Sequence, residues 1–404
     1  MRSKPVVYFG SVQSSRPTPE DSIAGKYLEI IRELGVREAV KGKLVAIKMH
    51  VGKNLGFSTV NPLLVRLLVR EIKRAGGTPY VIDVPEQIPE AHARGYVSEV
   101  IGCPIVPVAG FRDEYYVERE VNYRALKSLK LGGNCKDADV LVVLSHVKGH
   151  NTAGFGASIK NVALGCYTRD TRAAMHRCTQ YPRYWFPERC GSNADEVMRR
   201  LADACPHGAI RVRNGELRVV FDMCNQCMRC TRIAPGCIRI SPENFNGFFE
   251  AMAMAAKFVL EQFDEDGVFF INVALDMTEL CDCWGFTTGN VLPDLGVLGS
   301  RDILAVDKAT LDLTNELPLI VENVSRSLEV IDDPDLHPFA RIFGPYKDPY
   351  LQIYYGEKYG LGEVDYELVE VRPARRPERK LPPPSFPRAR RLYPRVRRRL
   401  SESA

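Results

Sequence analysis

The chain has 404 residues, of which 45% are hydrophobic and 26% charged, with a formal net charge of +5. That balance excludes a fibrous or low-complexity protein and is enough to bury a full core in two or three domains. The longest apolar runs, such as Val140 to Leu144, are far too short to cross a bilayer, and MRSKPVVYFGSVQSS lacks the apolar stretch of a signal peptide, so a cytoplasmic location is expected.

In chain order, VVYF near Val6 reads as a strand, followed by an amphipathic stretch from about Glu20 to Leu34. LVAIKMH from Leu44 is the second strand, with a helix from Pro62 to Ala75; PYVID from Pro79 is the third, with a short helical stretch after it. Val140 to Ser145 is a continuous apolar strand of the kind buried on both faces, and a Gly-rich turn leads from it into a helix over Phe155 to Leu164. This alternation predicts the α/β class, with a mainly parallel sheet covered by helices on both sides. Residues 190–240 interrupt it with a cysteine-bearing segment. A helix from Phe245 to Gln262, a strand from Val268 to Val273, a loop containing CDCW and a helix from Ile303 to about Leu313 then resume the pattern, with Asp302 capping the last helix. The expected organisation is an α/β domain in two parts, 1–189 and 241–345, with a ferredoxin-like insertion over 190–240, a C-terminal extension over 346–370 and a tail over 371–404. Two consecutive domains are the alternative.

The tail carries eleven Arg and one Lys against two Glu, a net of +10, so the remaining body is near −5. With seven prolines it cannot bury enough apolar surface to fold alone and is expected to be disordered. A solubilising or terminal extension is favoured over an arm for nucleic acid, an anionic membrane surface or an acidic partner, because no aromatic-rich RNA motif accompanies it.

Polar residues gather where an open α/β sheet binds ligands, at the carboxyl ends of its strands. Lys48 and His50 end one predicted strand, Asp83 ends another, and His146, Lys148 and His150 follow a third. The segment SHVKGHNTAGFGASIKN delivers Gly149, Gly154 and Gly156 to a predicted helix start, where free N–H groups and the helix dipole favour an anion, with Lys160 and Asn161 just inside. His146, His150, Lys160 and His50 are the candidate catalytic groups; Lys48, Lys148, Gly154, Gly156 and Asn161 are the candidate ligand contacts. The expected ligand is a small anionic substrate or cofactor.

Cys205, Cys224, Cys227 and Cys230, in the frame ACPHGAI...MCNQCMRC, are the strongest chemical signal. A bacterial ferredoxin takes three thiolates from a CxxCxxC run and the fourth from a distant Cys-Pro. Cys205-Pro206 supplies the distant ligand, so the four cysteines predict one [4Fe-4S] cluster. The slot that would serve a second cluster is Ala234-Pro235, with Cys237 displaced downstream, and the only cysteine shortly before Cys205 is Cys190. A zinc ribbon is the competing reading, but it arranges its ligands as two separated pairs. Cys190 and Cys237 stay unassigned; Cys281 and Cys283 in CDCW are either metal ligands, a redox pair or small buried hydrophobes beside Trp284.

VAIKMHVG, SHVKGHNTAGFGASIKNVALGC, the later His176, and CDCW followed by PDLGVLGSRDILAVDKA resemble the signature blocks of the family catalogued as domain of unknown function 362, in its iron-sulfur-containing branch. The resemblance runs from about Lys43 to Leu313 and implies an iron-sulfur protein whose reaction is unassigned. Members of that branch look able to carry two clusters, whereas this chain keeps ligands for one. A shorter similarity, His150-x-x-Ala153-Gly154 followed by Lys160, is to the lactate racemase family, which uses a nickel-pincer nucleotide attached to a lysine. It implies that Lys160 carries or contacts a second, organic or metal, cofactor and that His146 or His150 moves protons. The reading favoured is an oxidoreductase that receives electrons from a redox partner protein; the others are a ferredoxin-like carrier or assembly protein, and a metal or pincer-cofactor isomerase.

Overall fold

The structure is a computed structural model and describes residues 4–180, 183–191, 193–224, 227–241, 243–371 and 379–380. Its centre is a nine-stranded sheet made of β1 (Val6–Ser11), β2 (Leu44–Lys48), β3 (Thr78–Asp83), β4 (Ile105–Pro107), β7 (Val140–His146), β12 (Val268–Ala274), β13 (Gly296–Ser300), β14 (Glu367–Glu370) and β15 (Arg379–Lys380). The spatial order is β15-β14-β1-β13-β12-β7-β2-β3-β4. Three two-stranded ribbons complete the strands: β5 (Tyr116–Tyr123) with β6 (Leu126–Gly132), β8 (Lys148–His150) with β9 (Gly154–Gly156), and β10 (Ile210–Arg213) with β11 (Glu216–Val219).

The sheet is mainly parallel, as expected: β14 with β1, β12 with β7, and β7, β2, β3 and β4 in succession. Two strands run against their neighbours, and one of them is β15, antiparallel to β14. β13 is antiparallel to both β12 and β1, because the chain returns from β12 through an irregular loop rather than the long crossover that a parallel pairing needs. The segment GVLGS of β13 is short and glycine-bearing, so its sequence carries no strand signal.

The apolar run Val140–Leu144 in β7, and the apolar residues on either side of Asn272 in β12, are explained by burial on both faces, since every residue of each strand is buried. Alternation along β7 divides two cores: Val140, Val142 and Leu144 pack on one side, Leu141 and Val143 on the other. Helices Ile23–Glu33 and Pro62–Arg74 cover the first side; Ser158–Gly165, Glu243–Leu260, Ile303–Asn315 and Tyr350–Lys358 cover the second. Helix starts follow the local chemistry. Asn61 accepts from Leu63 N at 2.9 Å ahead of Pro62, and Asp302 caps as expected, accepting from Leu304 N and Ala305 N at 2.9 and 2.8 Å.

Three expectations are corrected. The helix anticipated from Phe155 begins at Ser158, because Gly154–Gly156 pairs with Lys148–His150 as a small hairpin. Residues 346–370 are no appendage: they supply a covering helix and β14 to the main sheet. Arg379–Lys380, within the stretch expected to be disordered, pairs with Val369–Glu370; the rest of the expected tail, beyond Val371, lies outside the described residues.

Between Tyr184 and Ile240 a smaller core forms from Met198, Leu201, Ile210, Leu217, Val219, Phe221, Ile238 and Ile240. It is built by helix Ala194–Asp203, the ribbon β10–β11, helix Arg229–Ile233 and an isolated bridge between Trp185 and Ile238. Asn214 and Gly215, at φ 51° and 74°, close the ribbon as an Asn-Gly turn; their positive φ is what such two-residue turns demand.

Candidate functional site

A cavity of about 280 Å³ opens where the sheet was expected to bind its ligand. β2 ends in Lys48, and His50 follows; β3 ends in Asp83. Lys48 Nζ donates to Asp83 Oδ1 at 2.9 Å, His50 Nδ1 lies 3.1 Å from Asp83 Oδ2, and Val51 N donates to the same oxygen at 2.9 Å. Burial alone would raise the Asp83 carboxyl, but Lys48 and His50 hold it well below the carboxylate range. Burial would likewise lower the His50 imidazolium, and Asp83 reverses that. Gly165 in the covering helix leaves room for the Lys48 side chain, whose Cε and Nζ lie where a Cβ would stand.

A second buried carboxylate organises the other wall. Asp282 lies 3.1 Å from His146 Nδ1 and 3.0 Å from Lys148 Nζ. Against the opposing effect of burial, Lys148 and His146 hold its carboxyl far below the ordinary range. The other nitrogen of His146, Nε2, meets the carbonyl oxygens of Leu275 and Asp276 at 3.0 and 3.2 Å. Both ring nitrogens therefore face oxygen acceptors, so His146 positions Asp282 and is not among the residues that line the cavity.

His150 does line it. Its Nδ1 accepts from Thr152 N at 3.2 Å and Ala153 N at 3.0 Å, so the neutral ring carries its proton on Nε2. Burial and the Lys160 charge push its pKa well down, which keeps it neutral. Lys160 Nζ donates to Cys281 Sγ at 2.9 Å. Burial would lower the ammonium, and the Cys281 thiolate holds it above its usual value. In return, a hydrogen bond from Cys283 and the Lys160 charge hold Cys281 well below the thiol range, while the same hydrogen bond pushes Cys283 up. Asn161 spends its amide on the strand ends, donating to the Lys48 and Leu144 carbonyls at 3.2 Å each. Gly156 lets Lys148 and Lys160 pass close by, and Gly154, at φ 68°, has no room for a Cβ beside the Lys347 carbonyl.

The anion site expected at the start of the covering helix is corrected. Ser158 N and Ile159 N already donate to the buried Asp307 carboxylate at 3.0 and 2.8 Å, so an internal side chain takes the place of an external anion. Cationic side chains do the work elsewhere. Lys48, Lys148, Lys160, Arg169 and Arg172 line the cavity. Asp83, Asp282, the Cys281 thiolate and Glu86, which accepts from Arg172 at 2.5 Å, counter four of those charges. The cationic side chains outnumber these counter-charges, which suits a small anion.

Arg169, Arg172 and His176 went unremarked as site residues in the sequence, although their spacing is the signal: with Ala173 they fall at i, i+3, i+4 and i+7 of helix Arg169–Arg177 and form the face that lines the cavity. The His176 ring lies 6.4 Å from that of His150. Three polar atoms of lining residues, His50 Nε2, Gln87 Oε1 and Arg172 Nε, are buried with no hydrogen-bond partner among the described residues. Atoms of that kind call for a ligand or water.

Away from this cavity, Cys205, Cys224, Cys227 and Cys230 together line a second, smaller one beneath helix Arg229–Ile233. Burial and the nearby sulfurs of Cys224, Cys227 and Cys205 push the Cys230 thiol up to about 12. Of the positions that would serve a second cluster by the same spacing, Met198, Leu201 and Ala234 are buried in the small core and Asp195 is exposed. Cys190 and Cys237 face each other instead, and burial with their mutual hydrogen bond pushes the Cys190 thiol to about 12.

The family model described as Domain of unknown function (DUF362) matches residues 45–312, a span that holds the residues of both cavities. No curated protein matches the chain. Among solved structures, the lactate racemase apoprotein from Thermoanaerobacterium thermosaccharolyticum is similar at 15% identity and a TM-score of 0.33, over 61% of this chain and 48% of that one. A crystal structure of a protein from Thermotoga maritima is similar at 13% identity and a TM-score of 0.31, over 62% of this chain and 60% of that one. The chain thus spans roughly half to three-fifths of the length of these neighbours, and no helix of its described residues is long and apolar enough to cross a membrane.

Proposed function

The chain belongs to the family described as Domain of unknown function (DUF362), and on that premise we propose that it is an iron-sulfur oxidoreductase acting on a small anion. The observation that carries this reading is Cys224, which packs against both the small core and the main one. The cavity lined by the four cysteines thereby abuts the body that holds the cationic pocket.

Cys205, Cys224, Cys227 and Cys230 fit one [4Fe-4S] cluster. They share a cavity, and the mutual repulsion that raises the Cys230 thiol is what iron ions would relieve. Bound there, a cluster supplies single electrons. In the pocket, Arg169 and Arg172 draw in the anion, and Lys148 and Lys160 orient it. His150 offers its Nε2 proton as a hydrogen-bond or proton donor.

Anaerobic purification of the full chain tests the reading. About four iron and four sulfide per chain are expected, lost in Cys227→Ser; zinc in their place, or about eight iron, overturns it. A simple electron carrier would keep all of its activity in Lys160→Ala and His150→Ala, whereas an enzyme loses turnover of its substrate.

A further inference from the structure

The loop after β12 brings two thiol groups against the end of β2. The sulfurs of Cys281 and Cys283 and a ring nitrogen of His50 all lie within 4.8 Å of one another. Ligand atoms bound at zinc distances to one ion sit roughly 3.6 Å apart, so side-chain torsions suffice to close the set. His50 is already oriented for such a role: its Nδ1 is held 3.1 Å from Asp83 Oδ2, and its Nε2 is buried with no hydrogen-bond partner among the described residues. A carboxylate on the far nitrogen is the support that metal-ligating histidines carry.

We propose that Cys281, Cys283 and His50 hold one divalent transition-metal ion of the zinc class, with its fourth position open to the pocket. Two sulfurs and an imidazole select a borderline ion over magnesium or calcium, which take oxygen ligands. The Cys-x-Cys spacing is supported locally: Asp282 between the two turns inward to His146 and Lys148, so the flanking sulfurs are free to converge on His50. Three protein ligands leave one coordination position, the arrangement of zinc sites that bind substrate rather than brace a fold. Because His50 and Cys283 both line the cavity, that position faces the space assigned to the small anion. An oxygen of the anion would occupy it. Lys160, 2.9 Å from Cys281 Sγ, offsets the charge of one thiolate. The site uses none of the four module cysteines, and it rests only on the pocket being a small-molecule site.

The test is metal analysis of the full chain, purified anaerobically and supplied with Zn²⁺, beside Cys283→Ser and His50→Ala. About one zinc per chain is expected in the wild type, with two sulfur neighbours at about 2.3 Å by X-ray absorption. Zinc should be lost in both variants while iron is unchanged. Cys283 is an exposed residue, so its replacement spares the core, and the iron content reports on folding in the same sample. Iron missing from every sample while zinc follows Cys283 would sink the cluster and leave this site standing. A wild type that takes up no zinc, or zinc that Cys283→Ser and His50→Ala both leave in place, overturns the proposal.

Discussion

The two chemical regions of this chain are held together by different forces. The cysteine-bearing segment has a small core of its own, a two-residue hairpin turn and a cavity lined by four cysteines drawn from residues 205–230. The pocket at the strand ends is held by buried ion pairs across the main sheet, Lys48 with Asp83 and Lys148 with Asp282, and its Lys160–Cys281 contact joins residues 121 apart. A compact local unit can lose its ligand group without disturbing much else. A pocket of interlocking buried charges cannot, because removing one partner leaves the other uncompensated.

That contrast can be broken, and the largest effect should come from Asp282. Asp282→Ala strands the buried Lys148 and His146 and is expected to cost about 3–5 kcal/mol in urea unfolding; a cost below about 1 kcal/mol would mean that the pocket is not held by its charges. Acid should act on the body next. Burial depresses the His337 value to about 3, so the folded state binds fewer protons than the unfolded chain between about pH 6.5 and 3. Stability is present above that window and falls by about 1.4 kcal/mol per pH unit as pH drops through it. His337→Gln, which cannot titrate, should show a flatter acid limb. Lys160→Ala is expected to weaken binding of acetate, a small monoanion, by about 10-fold or more through loss of a charged donor, measured by calorimetry, while iron content holds. The smallest effect belongs to the module. Asn214→Ala puts a Cβ-bearing residue of poor left-handed propensity at φ 51° and should cost about 1 kcal/mol, seen as faster iron release with no shift in the thermal midpoint of the body.

The same contrast explains what was legible in the sequence. Cys205 and the run from Cys224 to Cys230 announce themselves because their spacing is local, and the buried strand β7 does so through the unbroken apolar run Val140–Leu144. Lys48, His50, Lys148, His150 and Lys160 were placed near one another by the strand-end rule, and the fold brings them to one cavity. What the rule could not assign was role. Whether a histidine faces the cavity or a carbonyl depends on tertiary neighbours, which is why His146 is turned to Leu275 and Asp276. The free helix start was misjudged for the same reason, since Asp307, about 150 residues on, is invisible to a local reading. The Arg169, Arg172 and His176 face was readable from its helical spacing alone.

Iron content and acetate affinity, measured on the same anaerobic preparations of wild type, Cys227→Ser and Lys160→Ala, test the two-region account most directly. It predicts that the wild type has both, that Cys227→Ser loses iron and keeps acetate binding, and that Lys160→Ala does the reverse. Loss of both properties in either variant, or a wild type that holds zinc where iron is expected, would contradict it.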